Sequence, residues 1–441
     1  MAPARKRYAQ VGLGGRSGMY TGALLVDFKE HCELVGFCDR NQGRMDVANR
    51  LNGEHLDKPV PTYMADEFDR MVAEQKPDVV IVTSGPDVTH SDYIVRAMEL
   101  GCDVITEKPM TTDEHRCRKI LETRARTGRN CQVTFNYRYA PVRSQVKEML
   151  NDGAVGEVLS VDFTWVLNTK HGADYFRRWH RRLENSGSLL VHKSTHHFDL
   201  INWWLDDVPE EVTCSGSLRY YTPQEADRRG LRGRSDRCLT CGVSDRCPFF
   251  HDLKNTEKHK LLYLDNEDED GYFRDRCVFA EEIDIWDTML VSVRYRRGAL
   301  LNYMLHAYCP KEGYHIAFNG REGRLEHPCL ESSYISGDGT VPGEQRKGTT
   351  LLYYPEFTEP REIEARKGAG GHGGGDALLL ADLLDPNPPA DPLRRAANQV
   401  DGAYSILIGI AAYRSIQNGG QPIRIDDLLA GAPLGERLKR P

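Results

Sequence analysis

The sequence predicts an α/β protein that begins with a doubly wound parallel sheet and continues into a second, larger domain. Apolar runs of strand length alternate with segments of helical spacing over the first third of the 441-residue chain, and this alternation is typical of βαβ units. A glycine-rich turn follows the first apolar run directly. The length suits two or three domains, each able to bury a core.

Five apolar runs account for the predicted strands of the first sheet. They are Tyr8–Leu13, Glu33–Cys38, Asp78–Thr83, Asp103–Thr106 and Cys131–Phe135. Helices are expected between them, for example over residues 89–100 and 112–126. Because parallel strands are joined by right-handed crossovers, a ligand is expected at the carboxyl ends of the strands.

The glycine-rich turn, which spans residues 12–18, predicts a dinucleotide site. Gly12 permits a tight turn after the first strand, and Gly14 and Gly15 let the backbone approach a pyrophosphate. Gly18 is expected to allow close packing of the following helix, and the N-terminus of that helix attracts phosphate. The spacing GxGxxxG is looser than the strict fingerprint, so a nucleotide-free domain with a glycine turn is the alternative. The predicted phosphate-binding set is Gly12, Gly14, Gly15, Arg16, Ser17 and Gly18.

An aspartate at the end of the second strand indicates which dinucleotide is bound. Asp39 follows Gly18 by 21 residues, and a carboxylate at that place suits the ribose hydroxyls of NAD and repels the 2′-phosphate of NADP. Arg40 beside it would instead attract that phosphate. NAD is therefore the predicted cofactor and NADP the alternative, with Asp39 and Arg40 as the residues beside the ribose.

Four short motifs carry a family resemblance. The glycine turn, Thr83-Ser84-Gly85-Pro86, Glu107-Lys108-Pro109 and Asn136-Tyr137-Arg138 together resemble the Gfo/Idh/MocA oxidoreductases, and the resemblance covers essentially the whole chain. It implies a Rossmann domain over residues 1–133 and an α/β domain with a large, mostly antiparallel sheet over residues 134–441. In that family the lysine contacts the substrate hydroxyl being oxidised, so Lys108 inherits this role; an exposed turn lysine is the alternative. The motif residues predicted to bind the cofactor are Thr83, Ser84, Glu107, Lys108, Asn136 and Arg138.

A histidine-rich helix in the second domain is predicted to hold the acid–base chemistry. His192, His196 and Asp199 fall at i, i+4 and i+7 and therefore share one helix face. His196 is placed to exchange a proton with a bound hydroxyl. The family pattern has an aspartate where this chain has His192, so the usual acid–base carboxylate is absent from that position. The predicted catalytic residues are Lys108, His192, Lys193 and His196, and a core histidine or a zinc site is the alternative.

The chain is acidic overall but carries local positive charge beside this helix. A formal net charge of −7 argues against a general nucleic-acid binder. Between residues 170 and 199, however, six Lys and Arg residues stand against three Asp and Glu residues. A positive cleft favours an anionic or heavily hydroxylated substrate, and an arginine-rich surface loop is the alternative. The predicted substrate-binding residues are Tyr137, Tyr175, Arg178, Trp179, His180, His196 and, from the resemblance, His372.

Four of the twelve cysteines have the spacing of a metal site. Cys238, Cys241 and Cys247 form a CxxC pair followed by a third thiol, and Cys277 or His251 would complete a tetrahedral set. They fall in an insertion, at about residues 222–280, that has few apolar residues, so a structural zinc would compensate for a small core. The alternatives are an iron–sulfur cluster and unligated thiols or disulfides.

The remaining features bear on location and partners. No apolar stretch approaches the ~20 residues of a membrane span, and the N-terminal residues lack the apolar segment of a signal peptide. A cytoplasmic protein is therefore expected, with no membrane or nucleic-acid partner. The resemblance implies a homo-oligomer, either a dimer or a tetramer. An amphipathic closing helix is expected at about residues 400–417.

Two functions fit these residues. One is an NAD-dependent glycoside hydrolase that oxidises a sugar 3-hydroxyl transiently, eliminates the aglycone, adds water and re-reduces the sugar. The resembled superfamily includes such enzymes, some of them for sulfoquinovosides, and the positive cluster suits an anionic glycoside of this kind. The other function is an NAD-dependent sugar, polyol or glycoside 3-dehydrogenase with net hydride transfer. A non-catalytic NAD-binding protein is disfavoured because the chain has both Lys108 and His196.

Overall fold

The first sheet of the computed structural model, which describes residues 5–332, 348–368 and 371–438, has six strands. In chain order these are β1 (Lys6–Val11), β2 (Cys32–Asp39), β3 (Thr62–Met64), β4 (Val79–Val82), β5 (Asp103–Thr106) and β6 (Cys131–Val133). In the sheet they follow the order β3–β2–β1–β4–β5–β6, and each neighbouring pair is parallel. The strand order reverses between β1 and β4, which is where such sheets bind ligands.

The helices that cover this sheet alternate with its strands, as predicted. They are α1 (Ser17–Gly22), α2 (Gln42–Leu51), α3 (Phe68–Gln75), α4 (His90–Glu99) and α5 (Glu114–Thr127), and α1 runs on into a π-helical turn at Ala23–Asp27. Strand β3 was not predicted, because three residues are too few to show a strand pattern. Helix α5 shows clear end signals: the Asp113 side chain accepts a hydrogen bond from the Arg116 N–H, and Gly128 ends the helix in the left-handed region.

The second sheet has ten strands and is mostly antiparallel, which confirms the predicted fold class. Its strands are β7 (Val158–Asn168), β8 (Pro209–Ser217), β9 (Thr288–Tyr295), β10 (Leu300–Cys309), β11 (Glu312–Gly320), β12 (Gly323–Ser332), β13 (Gly348–Thr349), β14 (Leu351–Pro355), β15 (Arg361–Ile363) and β16 (Ile423–Arg424). The order is β15–β14–β12–β11–β7–β10–β9–β8–β16, with β13 paired to β12. Only the β7–β10 pair is parallel among the strand pairs of this sheet that the structure describes.

Eleven further helices belong to this second part of the described chain. They are α6 (Pro141–Asn151), α7 (Thr169–Arg177), α8 (Leu183–Ser186), α9 (Ser188–His192), α10 (Thr195–Leu205), α11 (Pro223–Arg228), α12 (Glu257–Leu262), α13 (Glu267–Asp270), α14 (Gly375–Leu384), α15 (Gln399–Gln417) and α16 (Ile425–Leu429). Within the described residues, no helix has both the length and the apolar character that crossing a bilayer would require.

Helix α15 is the predicted closing helix, and it joins the two sheets. The Asn398 side chain caps its first turn by accepting a hydrogen bond from the Val400 N–H. The helix contacts α5 and β6 of the first part and α9, α10 and β8 of the second. It is therefore buried around nearly its whole circumference rather than on one face as an amphipathic helix would be. This packing holds α9 and α10, which carry the predicted catalytic histidines, against the first sheet.

Candidate active site

A cavity of about 1270 Å³ lies between the glycine turn of the first sheet and the α9–α10 segment of the second part. Most of the residues predicted from the sequence line it. From the cofactor-binding set these are Gly12, Gly14, Gly15, Arg16, Asp39, Arg40, Thr83, Ser84, Glu107, Lys108 and Asn136. From the catalytic and substrate-binding sets they are Tyr137, Tyr175, Arg178, Trp179, His180, His192, Lys193 and His196.

The glycine turn has the backbone of a phosphate-binding loop. Gly12 has a φ of +85°, and a Cβ there would lie 2.3 Å from the Cα of Ser84, so no other residue fits. Gly14 and Gly15 line the cavity at the start of α1. The packing role expected for Gly18 is wrong, because a Cβ at that position would meet no atom within 4 Å.

Asp39 lies where an adenosine ribose would be held. Its carboxylate ends β2 and accepts hydrogen bonds from the N–H groups of Leu13 at 2.5 Å and Asn41 at 3.0 Å. These bonds fix the carboxylate at the rim of the glycine turn. The tight turn at Gly12 fits the pyrophosphate of NAD, and the fixed carboxylate of Asp39 fits its ribose hydroxyls.

Glu107 is held in a network rather than exposed on a turn. Its Oε1 accepts hydrogen bonds from Arg16 Nε at 2.7 Å and Tyr20 Oη at 2.8 Å. Burial alone would raise the pKa of Glu107, but the Arg16 guanidinium lowers it below its usual value. Arg16 also pairs with Asp376, which accepts a 2.7 Å hydrogen bond from Asn136 Nδ2. The network fixes the β5 loop that carries Lys108.

Lys108 enters the cavity from the carboxyl end of β5. Its Nζ donates a 3.1 Å hydrogen bond to the main-chain carbonyl of His192, so the lysine spans the two sheets. Burial lowers the pKa of Lys108 to about 8, and the neighbouring charges of Lys193 and Arg16 act in the same direction, whereas Asp87 and Glu107 oppose it. A lysine with this pKa can change its charge near neutral pH.

His192 is paired with a carboxylate that sequence reasoning did not single out. Its Nδ1 lies 2.5 Å from Oδ2 of Asp87, a buried residue just beyond β4. Burial lowers the pKa of His192 well below its usual value, and the charges of Lys108 and Arg178 add to this effect. The ring is therefore neutral. Burial raises the pKa of Asp87 well above its usual value, against the lowering effect of Lys108 and Arg178. The ionised carboxylate would accept the Nδ1 proton and leave Nε2 as the basic nitrogen. Asp87 thus supplies a carboxylate that the α9–α10 segment lacks at this position.

His196 lines the same cavity in a different environment. Its ring stacks on that of Tyr137 with the centroids 4.1 Å apart and the planes 9° from parallel. Phe135 meets the ring edge-on at 6.3 Å. The third member of the predicted helix face, Asp199, is absent from the cavity lining and forms a buried ion pair with Arg138.

A second chain of acid–base groups reaches the cavity through Tyr175. The hydroxyl of Tyr175 lies 2.9 Å from His171 Nε2, and His171 Nδ1 lies 2.6 Å from Glu312 Oε1. Burial raises the pKa of Tyr175, so its hydroxyl keeps its proton at neutral pH. This arrangement can pass a proton between the cavity and the Glu312 carboxylate.

Two buried cations face the cavity beside Tyr137. Lys193 Nζ lies 3.2 Å from Tyr137 Oη and 5.0 Å from the centroid of the Trp165 ring. Burial disfavours the charge of Lys193, but Tyr137, Tyr175 and the more distant carboxylates of Glu312 and Glu331 raise its pKa above the usual value. Arg143 Cζ lies 4.0 Å from the Tyr137 ring centroid, and Arg143 Nε and Nη1 are buried with no hydrogen-bond partner among the described residues.

Three predicted site residues lie elsewhere in the described chain, and one falls outside it. Arg138 is 2% exposed and forms ion pairs with Asp199 at 2.5 Å and Asp401 at 3.1 Å, so it holds helices together and does not bind cofactor. Loss of one partner of such a buried pair costs about 3–5 kcal/mol. Ser17 and Gly18 do not line the cavity, and the Ser17 hydroxyl donates to the Gly14 carbonyl instead. The side chain of His372 lies outside the described residues.

The structure does not support the predicted zinc site. Cys238, Cys241, Cys247 and Cys277 border a cavity of only about 20 Å³, and the described residues contain no group of three or more His, Cys, Asp or Glu side chains that could hold a metal ion. The insertion instead buries apolar side chains against the body of the protein, Phe249 and Phe279 among them. Arg177 Nη1 also donates a 3.3 Å hydrogen bond to Cys238 Sγ.

Several residues that line the cavity were missed. Asp87 and Glu312 complete the two acid–base chains, but each contacts a histidine more than 100 positions away. The one available signal for Asp87 was its place just beyond a buried parallel strand, at the edge of the sheet where ligands bind. Tyr263 and Tyr272 come from the insertion, which was interpreted as a metal-binding segment.

Comparisons with known proteins agree with this geometry. Residues 6–135 match the model of the oxidoreductase family NAD-binding Rossmann fold, and residues 147–425 match that of the C-terminal alpha/beta domain of the same family. The putative oxidoreductase YteT of Bacillus subtilis is 40% identical over 432 residues, which is 95% of this chain and 97% of that protein.

Two more distant relatives match about half of each chain. The inositol 2-dehydrogenase of Rubrobacter xylanophilus is 27% identical over 212 residues, which cover 47% of this chain and 54% of that protein. The glycosyl hydrolase family 109 protein 1 of Akkermansia muciniphila is 25% identical over 197 residues, which cover 42% of this chain and 40% of that protein.

Proposed function

Because the chain belongs to the Gfo/Idh/MocA family of oxidoreductases with an NAD-binding Rossmann domain, we propose that it hydrolyses an anionic glycoside by transient oxidation of the sugar 3-hydroxyl. The observation that carries this proposal is the presence of two separate acid–base chains on one cavity. A single oxidation needs one proton acceptor, whereas elimination and water addition need further proton transfers. The glycosyl hydrolase relative supports the same chemistry as one that this family can host.

Lys108 and His192 carry the first step. When bound, NAD supplies the acceptor that takes a hydride from the sugar and later gives it back. The Lys108 ammonium stabilises the negative charge that develops on the reacting hydroxyl oxygen. His192 Nε2 takes the hydroxyl proton, and Asp87 holds the ring in the tautomer that makes this nitrogen basic.

Tyr175 serves the elimination. A ketone at C3 acidifies the hydrogen at C2, and an imidazole removes that proton. His180, whose pKa burial lowers, and His196 both line the cavity and are the candidates for this role. The electron pair of the C2–H bond forms a C1–C2 double bond as the C1–oxygen bond breaks. Tyr175 gives its proton to the leaving oxygen and regains one through His171. Water then adds across the double bond, so that the balance after re-reduction is hydrolysis.

Lys193 and Arg143 favour an anionic sugar. Both are buried, both contact Tyr137, and Lys193 forms no ion pair with a carboxylate of the described residues. Buried cations with unused donors are stabilised by an anion that supplies the missing partner. A sulfonate or carboxylate at C6 of the sugar is the group we propose, with the sulfoquinovosides as the first class to test.

Replacing Lys193 with methionine is expected to raise KM for an anionic glycoside about 10- to 100-fold, since a hydrogen bond to a charged group contributes about 1.5–3 kcal/mol. The value of kcat should change less. Steady-state kinetics on matched 6-sulfonated, 6-carboxylated and neutral p-nitrophenyl glycosides measure the effect. Lys170→Met, which removes an exposed lysine outside the cavity, is the control. Equal losses on neutral and anionic substrates would contradict the assignment.

The pKa of Lys108, about 8, predicts the alkaline side of the pH profile. The ammonium form is fully present below this pKa and is lost as the pH rises through it, so kcat/KM should fall about tenfold per pH unit above pH 8. Lys108→Arg keeps the charge and should remove this fall from whatever activity remains. Circular dichroism over the same range separates the effect from unfolding. A rise of activity through pH 8 would show instead that the neutral amine is the active form.

Net dehydrogenation is the second candidate function. It needs only the Lys108 and His192–Asp87 groups, and the inositol 2-dehydrogenase relative favours it. The two functions differ in products. In steady state the glycosidase releases nitrophenol with no accumulation of NADH, whereas the dehydrogenase forms one NADH per sugar oxidised and releases no nitrophenol.

A further inference from the structure

Part of the insertion covers the dinucleotide groove. We call residues 257–274 the cover segment; it contains α12 and α13. Leu262 and Tyr263 of this segment form a small apolar cluster with Val47 of α2. The N–H of Gly15 donates a 2.9 Å hydrogen bond to the hydroxyl of Tyr263. The cover segment therefore touches both the glycine turn and the helix that follows Asp39.

The cover segment also contacts Arg40 and Arg44, the two arginines that follow Asp39 in the chain. Arg44 is buried, and its Cζ lies 5.6 Å and 5.7 Å from the ring centroids of Tyr263 and Tyr272. Its Nε donates to the main-chain carbonyl of Leu262 at 3.1 Å. Arg44 Nη1 lies 3.6 Å from Asp39 Oδ1. Arg44 is thus the cation next to the Asp39 carboxylate. Its Nε and Nη1 face the cover segment, and its Nη2 is buried with no hydrogen-bond partner among the described residues.

Asp270 forms an ion pair with both arginines. The Asp270 carboxylate, whose side chain is 3% exposed, lies 3.0 Å from Arg40 Nε and 2.8 Å from Arg44 Nη1. The neighbouring Glu269 carboxylate accepts a hydrogen bond from the N–H of Gly43, at the start of α2, at 3.1 Å. Asp270 and Glu269 of the cover segment therefore lie close to Asp39, at the carboxyl end of β2.

This arrangement bears on which dinucleotide can bind. A 2′-phosphate on the adenosine ribose would need Arg40 or Arg44 as its partner. Both guanidiniums already pair with Asp270, and the phosphate would meet the negative charges of Asp39 and Asp270. We propose that the cover segment is a cofactor-selecting element that admits NAD and excludes NADP, and that Asp270 is the residue that sets this choice. The proposal concerns cofactor binding alone and holds for either candidate function.

Asp270→Asn tests the proposal in the full-length protein without substrate. Kd values for NADH and NADPH would be measured by fluorescence titration. Removing one carboxylate and releasing two arginines is expected to lower the Kd for NADPH at least about tenfold, while the Kd for NADH stays within about threefold. Asp268→Asn is the matched control, because Asp268 is an exposed member of the same acidic run.

A triple variant identifies the source of any gain in NADPH affinity. In Asp270→Asn combined with Arg40→Ser and Arg44→Ser, the NADPH affinity gained by the first change should be lost, since the arginines would be its binding partners. Unchanged NADPH affinity in Asp270→Asn would overturn the proposal. Parallel weakening of NADH and NADPH would also overturn it, because Asp270 would then support the shape of the groove and not the choice of cofactor.

Discussion

Replacing Lys108 with methionine is expected to lower kcat by about three orders of magnitude, the range seen when a catalytic proton donor or charge-stabilising donor is removed. Methionine keeps much of the length of the side chain but removes the ammonium beside the reacting hydroxyl. Lys108 also bonds the carbonyl of His192, so the variant tests the contact between the two halves of the cavity. The measurement is single-turnover kinetics with bound NAD, alongside NADH affinity.

The control for this variant is Lys170→Met, which removes an exposed lysine on α7. It should keep nearly full activity. NADH affinity of Lys108→Met should stay within a few-fold of the parent, because the pyrophosphate and ribose are expected to bind at Gly12 and Asp39, away from this side chain. Activity of Lys108→Met close to that of the parent would refute the site assignment. Loss of NADH binding would instead show that Lys108 acts through the cofactor groove.

Replacing Asp87 with asparagine is expected to lower kcat about 10²- to 10³-fold, with little change in KM. Asparagine can donate to His192 Nδ1, which would leave the ring with its proton on Nε2, the nitrogen that must accept one. Asp87 is therefore a positioning residue that acts through His192. The split between kcat and KM checks this role, because a merely structural defect of the cavity would raise KM as well.

Asp92→Asn is the matched control for Asp87→Asn, since Asp92 is exposed on α4 and lies outside the cavity lining. His192→Asn should lose at least as much activity as Asp87→Asn. A large loss in His196→Asn, with near-normal activity in Asp87→Asn and His192→Asn, would return the proton-exchanging role to His196, as its position on the helix face first suggested.

Local pattern explains why so much of the first sheet could be predicted. Strand β5 (Asp103–Thr106) has the predicted bounds, and the predicted helix over residues 112–126 corresponds to α5, because buried runs and capping residues act over a few neighbours. Strand β3 was not predicted, because a strand of three residues is too short to show an alternating or apolar pattern. Helix α15 was expected at the right place but with one apolar face, whereas its position between the two sheets buries it throughout.

The candidate site could be predicted only where single motifs carry it. Lys108, His192 and Lys193 were found because each lies in a short recognisable segment, and all three line the cavity. Asp87 and Glu312 were missed because their roles arise from pairing across more than 100 residues. Arg138 was predicted to bind the cofactor because it belongs to a family motif, but its side chain forms a buried ion pair with Asp199.

The cysteine insertion is the largest difference between expectation and structure. Metal-like spacing suggested a zinc site, but the segment is held by buried apolar side chains such as Phe249 and Phe279. Its contacts with Gly15, Arg40 and Arg44 could not be predicted, because nothing in the local sequence says which distant surface an insertion covers.

The most direct test of transient oxidation is a stopped-flow single turnover of the NAD-loaded protein with a 6-sulfonated p-nitrophenyl glycoside, following NADH and nitrophenol absorbance together. We expect the NADH signal to rise and then fall, with nitrophenol released between the two phases and no NADH left at the end. A lasting NADH signal without nitrophenol, or nitrophenol release without any NADH phase, would contradict the account.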